Sequence, residues 1–344
     1  MIGVDPWAPG EVPLPVSLTG LLADAADAAG DATRALGLAG RAMSALPLPG
    51  EGRTDELWRA LAEMGAADLT VARALEPHLD AGAVLAQARA AGHPVPAHEG
   101  TWGVFAAEGP GTRLGLADGR LTGTKPWCSL AGELDRALVT AWVSDDERAL
   151  VAVDLRHPGV TELPGEWVPR GLSTVRSTGL RFADVPAVPV GPSGWYLSRP
   201  GFAWGGMGVA AVWLGGAVGL ARRLRRSARE REPDQVGQAL LGEVDARLVA
   251  AAAVLTEAAR AVDAGRAAGP DAWPRAVRVR HVVHDACEAV LSAVAHGLGP
   301  GPLVTEEGHA ARVADLQVYL RQHRGVRDAA VVGAAVAGGM ATPW

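Results

Sequence analysis

The chain has 344 residues, 49% of them apolar, with 32 basic and 38 acidic side chains for a formal net charge of −6. That length supports two or three packed units with a large core, and an acidic balance without basic runs paired to aromatics excludes a dedicated nucleic-acid binder. Cys128 and Cys287 are the only cysteines. They are too few for a disulfide framework or a cysteine zinc site, and they fit a reducing, cytoplasmic setting.

Met1 to Leu22 opens with acidic and proline residues rather than a basic segment followed by an apolar run, so no signal peptide is expected. From Leu18 to about Ala91 the chain is alanine-rich and helical in period, with Leu57, Leu61 and Met64 in phase and Gly65 as a break. This predicts a helical unit over residues 1–95. Over 96–200 the pattern changes to short, partly alternating stretches bounded by Gly, Pro and Asp, at Gly103 to Ala107, Arg120 to Trp127, Arg136 to Val143, Arg148 to Leu155, Val160 to Leu163 and Ser177 to Phe182. A β unit of about six strands is expected there.

Within it, Gly119 to Ser129 is the most informative stretch, and its Lys125 is the only lysine in the chain. Trp127, followed two residues later by Ser129 at a strand end, offers an indole face and a hydroxyl to a planar heterocycle, which suggests a flavin. The plain alternative is a core indole, one of 11 tryptophans, beside a serine that caps a turn.

Pro186 to Pro200 reads as a connection, and helical period returns at Gly206 with Trp213, Ala217, Leu220 and Leu224 on one face. Phe202 to Ala221 carries no charge and precedes Arg222, Arg223, Arg225 and Arg226, the pattern of a membrane span by length alone. Its many glycines and the lack of a second such segment favour a buried helix, and no membrane span is expected. Leu241, Leu248, Leu255 and Val262 mark a second helix, and Val279, Val283, Ala286, Val290 and Val294 a third. A fourth begins near Glu306 and carries Leu316, Tyr319, Leu320 and His323 on one face. Residues 201–344 are therefore expected to form a helical bundle, for an α+β chain in the order helices, β unit, bundle.

Other constellations are weaker. His281, His284, Asp285 and Glu288 share a helical face that reads as solvated polar surface, and only Glu306 to His309 fits the Glu-x-x-His pair that a di-iron bundle needs twice. No metal is expected. The chain contains no Gly-x-Ser-x-Gly elbow, P-loop or strand-to-helix Gly-x-Gly-x-x-Gly, which removes hydrolase, kinase and Rossmann readings.

With these motifs in this order, the chain from about Leu57 to Gly333 resembles the acyl-CoA dehydrogenase family. Leu121 to Ser129 is similar to the family's Leu-x-Gly-x-Lys-x-Trp-Ile-Thr, and Phe182-Ala183-Asp184-Val185-Pro186 to the segment closing its β domain. Gly215 to Ala221 resembles its first bundle helix, and His296-Gly297-Leu298-Gly299 a glycine turn near the FAD pyrophosphate. The resemblance implies a helical N-terminal domain, a middle β-barrel-like domain and a C-terminal four-helix bundle. It implies FAD between the β unit and the bundle, and a homodimer or homotetramer acting on a small-molecule substrate, acyl-CoA among the candidates. Carried over, Trp127 stacks on the flavin, Ser129 donates near its N5, and Cys128 belongs to the same cofactor-binding segment. Gly297 and Gly299 approach the cofactor too, although they also suit a helix end. Thr112 stands in for a serine on the CoA side, while Ala107 replaces a flavin-facing hydroxyl. Arg231-Glu232-Pro233 takes the place of the Arg-x-x-Phe-Gly segment that grips FAD across a subunit interface, without the aromatic.

Neither family position for the catalytic Glu holds one. Aligning Asp315 to Tyr319 on the family's Asp-x-x-x-Tyr puts His323 at the last-helix position, and the first-helix position falls near Val209 and Ala210. A histidine there resembles the monooxygenases that share the fold. An imidazole, with a pKa of about 6.5, suits proton exchange with a phenol better than abstraction of an α-proton. Three activities stay open: FAD-dependent oxidation of a CH–CH group of an acyl thioester, a flavin-dependent monooxygenase with His323 as acid/base, and a non-catalytic binding or assembly protein.

Overall fold

A computed structural model of the protein describes residues 16–165 and 167–342. The reading of Met1 to Leu22 as no signal peptide falls mostly on residues outside these.

The described residues open with five helices: α1 Val16–Asp27, α2 Ala32–Leu36, α3 Ala39–Ala45, α4 Thr54–Ala67 and α5 Leu69–Ala90. Asp55 and Glu56 lie in the first turn of α4, where the helix dipole favours negative charge. Asp68 caps α5 by accepting from Val71 N. The eight strands that follow are β1 Trp102–Phe105, β2 Leu114–Ala117, β3 Arg120–Ser129, β4 Arg136–Trp142, β5 Arg148–Asp154, β6 Val160–Glu162, β7 Ser177–Pro186 and β8 Val188–Pro189. They form one sheet in the order β6-β7-β3-β2-β4-β5-β8, with β1 pairing β4 in parallel. Two of these strands were not expected. The hairpin joining β2 to β3 turns on Asp118 and Gly119, both at positive φ (50° and 73°), the conformation that an Asp-Gly pair adopts most readily.

The chain then enters α6 Trp195–Ser198, α7 Pro200–Glu230, α8 Gln235–Asp263, α9 Ala272–Leu298, α10 Gly301–Thr305, α11 Glu307–Tyr319, a 3-10 turn over Leu320–Gln322 and α12 Val326–Ala337. Proline at its first position starts α7 six residues ahead of the expected onset. A single apolar cluster takes in Leu57 and Met64 of α4, Leu121 and Phe182 of the sheet, Trp213 of α7, Leu255 of α8 and Val290 of α9, so the core runs continuously from the first helices through the sheet to the last.

Among the described residues, α7 is the one helix long and apolar enough to cross a membrane, yet 72% of its most apolar window is buried inside the protein. Its glycines answer to packing. A Cβ on Gly215 would lie 2.0 Å from Ala62 O, and one on Gly65 would lie 2.6 Å from Val212 O. Bare backbone at both positions is what lets α4 and α7 touch along their lengths.

The expected helical placement of His323 needs correction. The α-helix ends at Tyr319, and His323 follows the 3-10 turn with extended backbone (φ −88°, ψ 127°). Gly325, at φ +42°, turns the chain, and Asp328 accepts from Arg324 N at the start of α12, a helix that the sequence reading did not foresee. The turn at Gly325 and the Arg324–Asp328 bond redirect the chain just past His323, so the helical period that its sequence spacing suggested does not reach it.

Candidate active site

The end of β3 departs from regular pairing. Lys125 pairs with Leu180 and Cys128 with Thr178, so β3 fits one residue more than β7 between these points, a β-bulge at Pro126 and Trp127. Trp127 takes φ +58°, a left-handed conformation that costs a residue with a Cβ about 1–2 kcal/mol. The bulge swings the indole out of the sheet, and Trp127 is 60% exposed. A core role would bury it. Strain on an exposed aromatic marks a position shaped by something other than packing. Cys128 turns inward: its Sγ donates to Lys125 O, and burial pushes its thiol up to about 12.

The bulge is anchored underneath by Lys125. Its Nζ, wholly buried, donates to Glu108 Oε1 at 2.6 Å and Thr140 Oγ1 at 2.8 Å. Glu108 also accepts from Arg148 Nη1 and Trp142 Nε1. Burial would raise the Glu108 carboxyl, but the bonds from Lys125 and its neighbours outweigh it and hold the group below the usual range. The two ends of this pair are unequal. In Glu108→Ala the ammonium is left buried with only a hydroxyl, at a cost of about 3 kcal/mol, whereas in Lys125→Met the half-exposed carboxylate keeps Arg148 and the loss is under about 1.5 kcal/mol. Urea unfolding of the two variants checks the order.

Ser129 closes the strand. Its Oγ lies 2.7 Å from Ser177 Oγ, its register partner on β7, and accepts from Arg73 Nη2 of α5 at 3.0 Å. Ser177 gives its single proton to Val175 O, so the proton between the two serines belongs to Ser129. Ser129 is left as an acceptor with one lone pair to spare. Beside it a small cavity is lined by Arg73, Pro77, Trp102, Phe105 and Leu134.

From Arg73 the polar thread runs into the helices. The Arg73 guanidinium lies 5.8 Å from the Tyr319 ring centre, Tyr319 meets Trp213 edge-on at 6.2 Å, and Trp213 meets His323 at 6.4 Å. Arg280 of α9 lies 4.5 Å over Trp213 and donates to Gly206 O. The Tyr319 hydroxyl is buried with no hydrogen-bond partner within the protein. One turn along α5 from Arg73 stands Glu76, whose carboxyl is raised to about 7 by burial and by Asp80, against the pull of Arg73 and Arg280. α11 is held to the sheet side by Asp315 Oδ1, which accepts from Leu172 N.

His323 is sealed from solvent. Its Nε2 lies 2.9 Å from His281 Nδ1, and its Nδ1 lies 3.0 Å from Asp328 Oδ2 but too poorly aligned for a hydrogen bond. Burial, reinforced by His284, Arg280 and His281 against Asp328, lowers it to about 4. The folded protein therefore binds fewer protons than the unfolded chain between about pH 4 and 6.5, so this contribution to stability is complete above about 6.5 and fades as pH falls toward 4. His323→Gln is expected to flatten that limb of the stability profile, measured by urea midpoints from pH 4 to 8.

The remaining expected site residues sit elsewhere. Thr112 donates its hydroxyl to Gly109 O within its own loop. Arg231 and Gly297 line one cavity of about 470 Å³ at the α7–α8 turn, together with Glu232 and Asp234. A Cβ on Gly297 would strike Leu224 Cδ1 at 2.7 Å, and Gly299 ends α9 at φ +65°, so packing and helix termination already require both glycines. The structure thus groups Trp127 with Ser129, and Arg231 with Gly297, as two separate places on the chain.

Arg73 and Glu76 escaped the sequence reading because α5 is otherwise alanine and leucine, and its polar residues look like solvent-facing punctuation. One signal was present: Pro77 inside the helix removes the N–H that would bond Arg73 O, marking an irregular turn beside both residues.

No protein-family model and no curated protein sequence matches the chain. Solved structures do. KijD3 in complex with FMN and dTDP-3-amino-2,3,6-trideoxy-4-keto-3-methyl-D-glucose superposes with a TM-score of 0.74 at 22% identity, over 95% of this chain and 92% of that one. Dibenzothiophene monooxygenase (TdsC) from Paenibacillus sp. A11-2 gives 0.73 at 17% identity, over 95% and 98%. A steroid ACAD variant gives 0.72 at 22% identity, over 94% and 98%. The chain has the fold of acyl-CoA dehydrogenase-like flavoproteins.

Proposed function

We propose that this protein is a flavin-dependent oxidoreductase of the monooxygenase kind, acting on a small molecule with an ionisable hydroxyl or amine. The observation that carries the reading is the strained, exposed Trp127 two residues before Ser129, at a strand end where Arg73 of α5 bonds Ser129. Several features favour it over oxidation of an acyl thioester. The hydroxyl of Thr112, on the expected CoA side, is engaged within its own loop. Ser129 offers a lone pair rather than a proton, which suits an N–H donor, the state of the ring's N5 in reduced flavin. KijD3 and TdsC, with structures recorded in complex with FMN, lend the same support.

For the cofactor we favour FMN over FAD. Glu232 and Asp234 share the cavity of Arg231 and offset the positive charge that a diphosphate would need there. Trp127 and Ser129 would hold the ring, and the flavin supplies the redox chemistry when bound. Around it, Arg73 orients the substrate from the α5 side, the unpartnered Tyr319 hydroxyl offers it a hydrogen bond, and Glu76 takes its proton. His323, neutral at physiological pH and bonded to His281, positions Trp213 and Tyr319 rather than meeting substrate.

The test is a titration of the protein with FMN and with FAD, followed by quenching of flavin fluorescence. FMN is expected to bind at least as tightly as FAD, and more tightly when reduced. Failure of both flavins to bind, in either redox state, would overturn the reading and leave a binding or assembly role. Bleaching of the bound oxidised flavin by an acyl-CoA would favour the dehydrogenase instead.

A further inference from the structure

A second site lies at the other end of α11. A cavity of about 450 Å³ opens between the C-terminus of α4, the middle of α7 and the start of α11, lined by Arg222, Arg223, Arg226, Arg312, His309 and Glu306. Four guanidinium groups gather here in a chain whose net charge is −6. Only part of that charge is answered. Arg223 forms a two-pronged pair with Glu306, and Arg222 pairs with Glu63. Arg312 donates to the carbonyls of Gly65, Ala66 and Ala67, capping α4, and it fits only because Gly219 has no side chain: a Cβ there would lie 2.3 Å from Arg312 Nη1. Arg226 alone of the four reaches the rim, exposed.

The protein backbone adds to the field. No side chain caps α11 at Glu306, because Arg223 holds that carboxylate; His309 N–H bonds Glu306 O, and the N–H groups of Glu307 and Gly308 begin the 13-residue helix without a side-chain cap. Gly308 has nothing within 4 Å of where its Cβ would stand, which leaves the backbone open to an approaching ligand. Burial lowers the His309 imidazole, against the pull of Glu306. The cavity holds the volume of about fifteen waters, more than a single oxyanion fills.

We infer that this cavity binds a diphosphate group, free or as part of a nucleotide, at a site separate from the Trp127 and Ser129 platform. α11 spans about 18 Å between its first residue and Tyr319, so the two places lie at opposite ends of one helix. The cavity of Arg231 is also distinct: it shares Arg223 but neither Arg226 nor Arg312.

The test is isothermal titration of the full chain with inorganic pyrophosphate and with ADP at low salt. Binding is expected, weakened at least about tenfold in Arg226→Glu and unchanged in Arg231→Glu, since close charge–charge contacts carry effects of that size. Arg226 is exposed, so its variant is expected to keep the wild-type melting temperature. Tighter binding of ADP than of pyrophosphate identifies a nucleotide, and equal binding identifies the free anion. The inference is overturned if neither ligand binds, if binding survives Arg226→Glu, if Arg231→Glu abolishes it, or if pyrophosphate displaces FMN from the protein. The last outcome would make the cavity the seat of the flavin phosphate, and failure of flavin to bind leaves the pyrophosphate result standing.

Discussion

Trp127→Gly is expected to weaken flavin binding about 10- to 100-fold while leaving the protein as stable as before or slightly more so. Both halves follow from the same bulge. The indole is exposed, so its removal takes little apolar area out of the core, and stacking of an aromatic on a planar heterocycle is worth about 1–3 kcal/mol. Glycine adopts φ +58° freely, so the substitution also releases local strain of about 1 kcal/mol, less the entropy that glycine gains in the unfolded chain. Trp127→Ala separates the two effects: it loses the ring but keeps a Cβ in the left-handed region, and should lose affinity equally with no gain in stability. Fluorescence titration with FMN and thermal melts of all three proteins measure this. A Trp127→Gly protein that binds flavin as the parent does would sink the platform.

How much of this could be read from residues alone differs between backbone and site. The long helices announce themselves: the apolar positions of α8 and α9 recur at helical period, and both form. Local signals also placed β3, the motif on it and the order of elements. What escaped was decided by competition over short range. β2 is four residues long with a glycine inside it, and β8 is two residues within a proline-rich connection, so neither carries a period of its own. α11 gives way to a 3-10 turn because Gly325 and Asp328 start a new helix just beyond. The site was half legible. Trp127 and Ser129 belong to one contiguous motif, but Arg73 meets Ser129 across 56 residues and Tyr319 lies further still, and no spacing along the chain encodes that meeting. Ser177 shows the same limit, since its control of the Ser129 proton depends on a strand register that only the sheet reveals.

Glu76→Gln is expected to lower kcat/KM by about 100- to 10,000-fold, the range lost with a positioned general base, while raising stability at neutral pH. The two directions are linked through one carboxyl group. Its folded value of about 7 lies above the ordinary 4.5, so the folded state holds on to the proton more tightly than the unfolded chain. Stability from this group is complete below about pH 4.5 and is lost as pH rises through 7, where the buried carboxylate must ionise beside Asp80. Gln keeps the shape and never ionises, so it recovers on the order of 1 kcal/mol at pH 8 after allowance for screening. Activity runs the opposite way: the base works only when ionised, so kcat/KM of the parent should climb through about pH 7 and level off above it, and the variant should lack that limb. A group retained at a cost to the fold, and tuned to neutrality between Arg73 and Arg280, is what a proton acceptor requires and what a structural acid would avoid. A Glu76→Gln enzyme that keeps the parental pH profile would assign the proton to another residue.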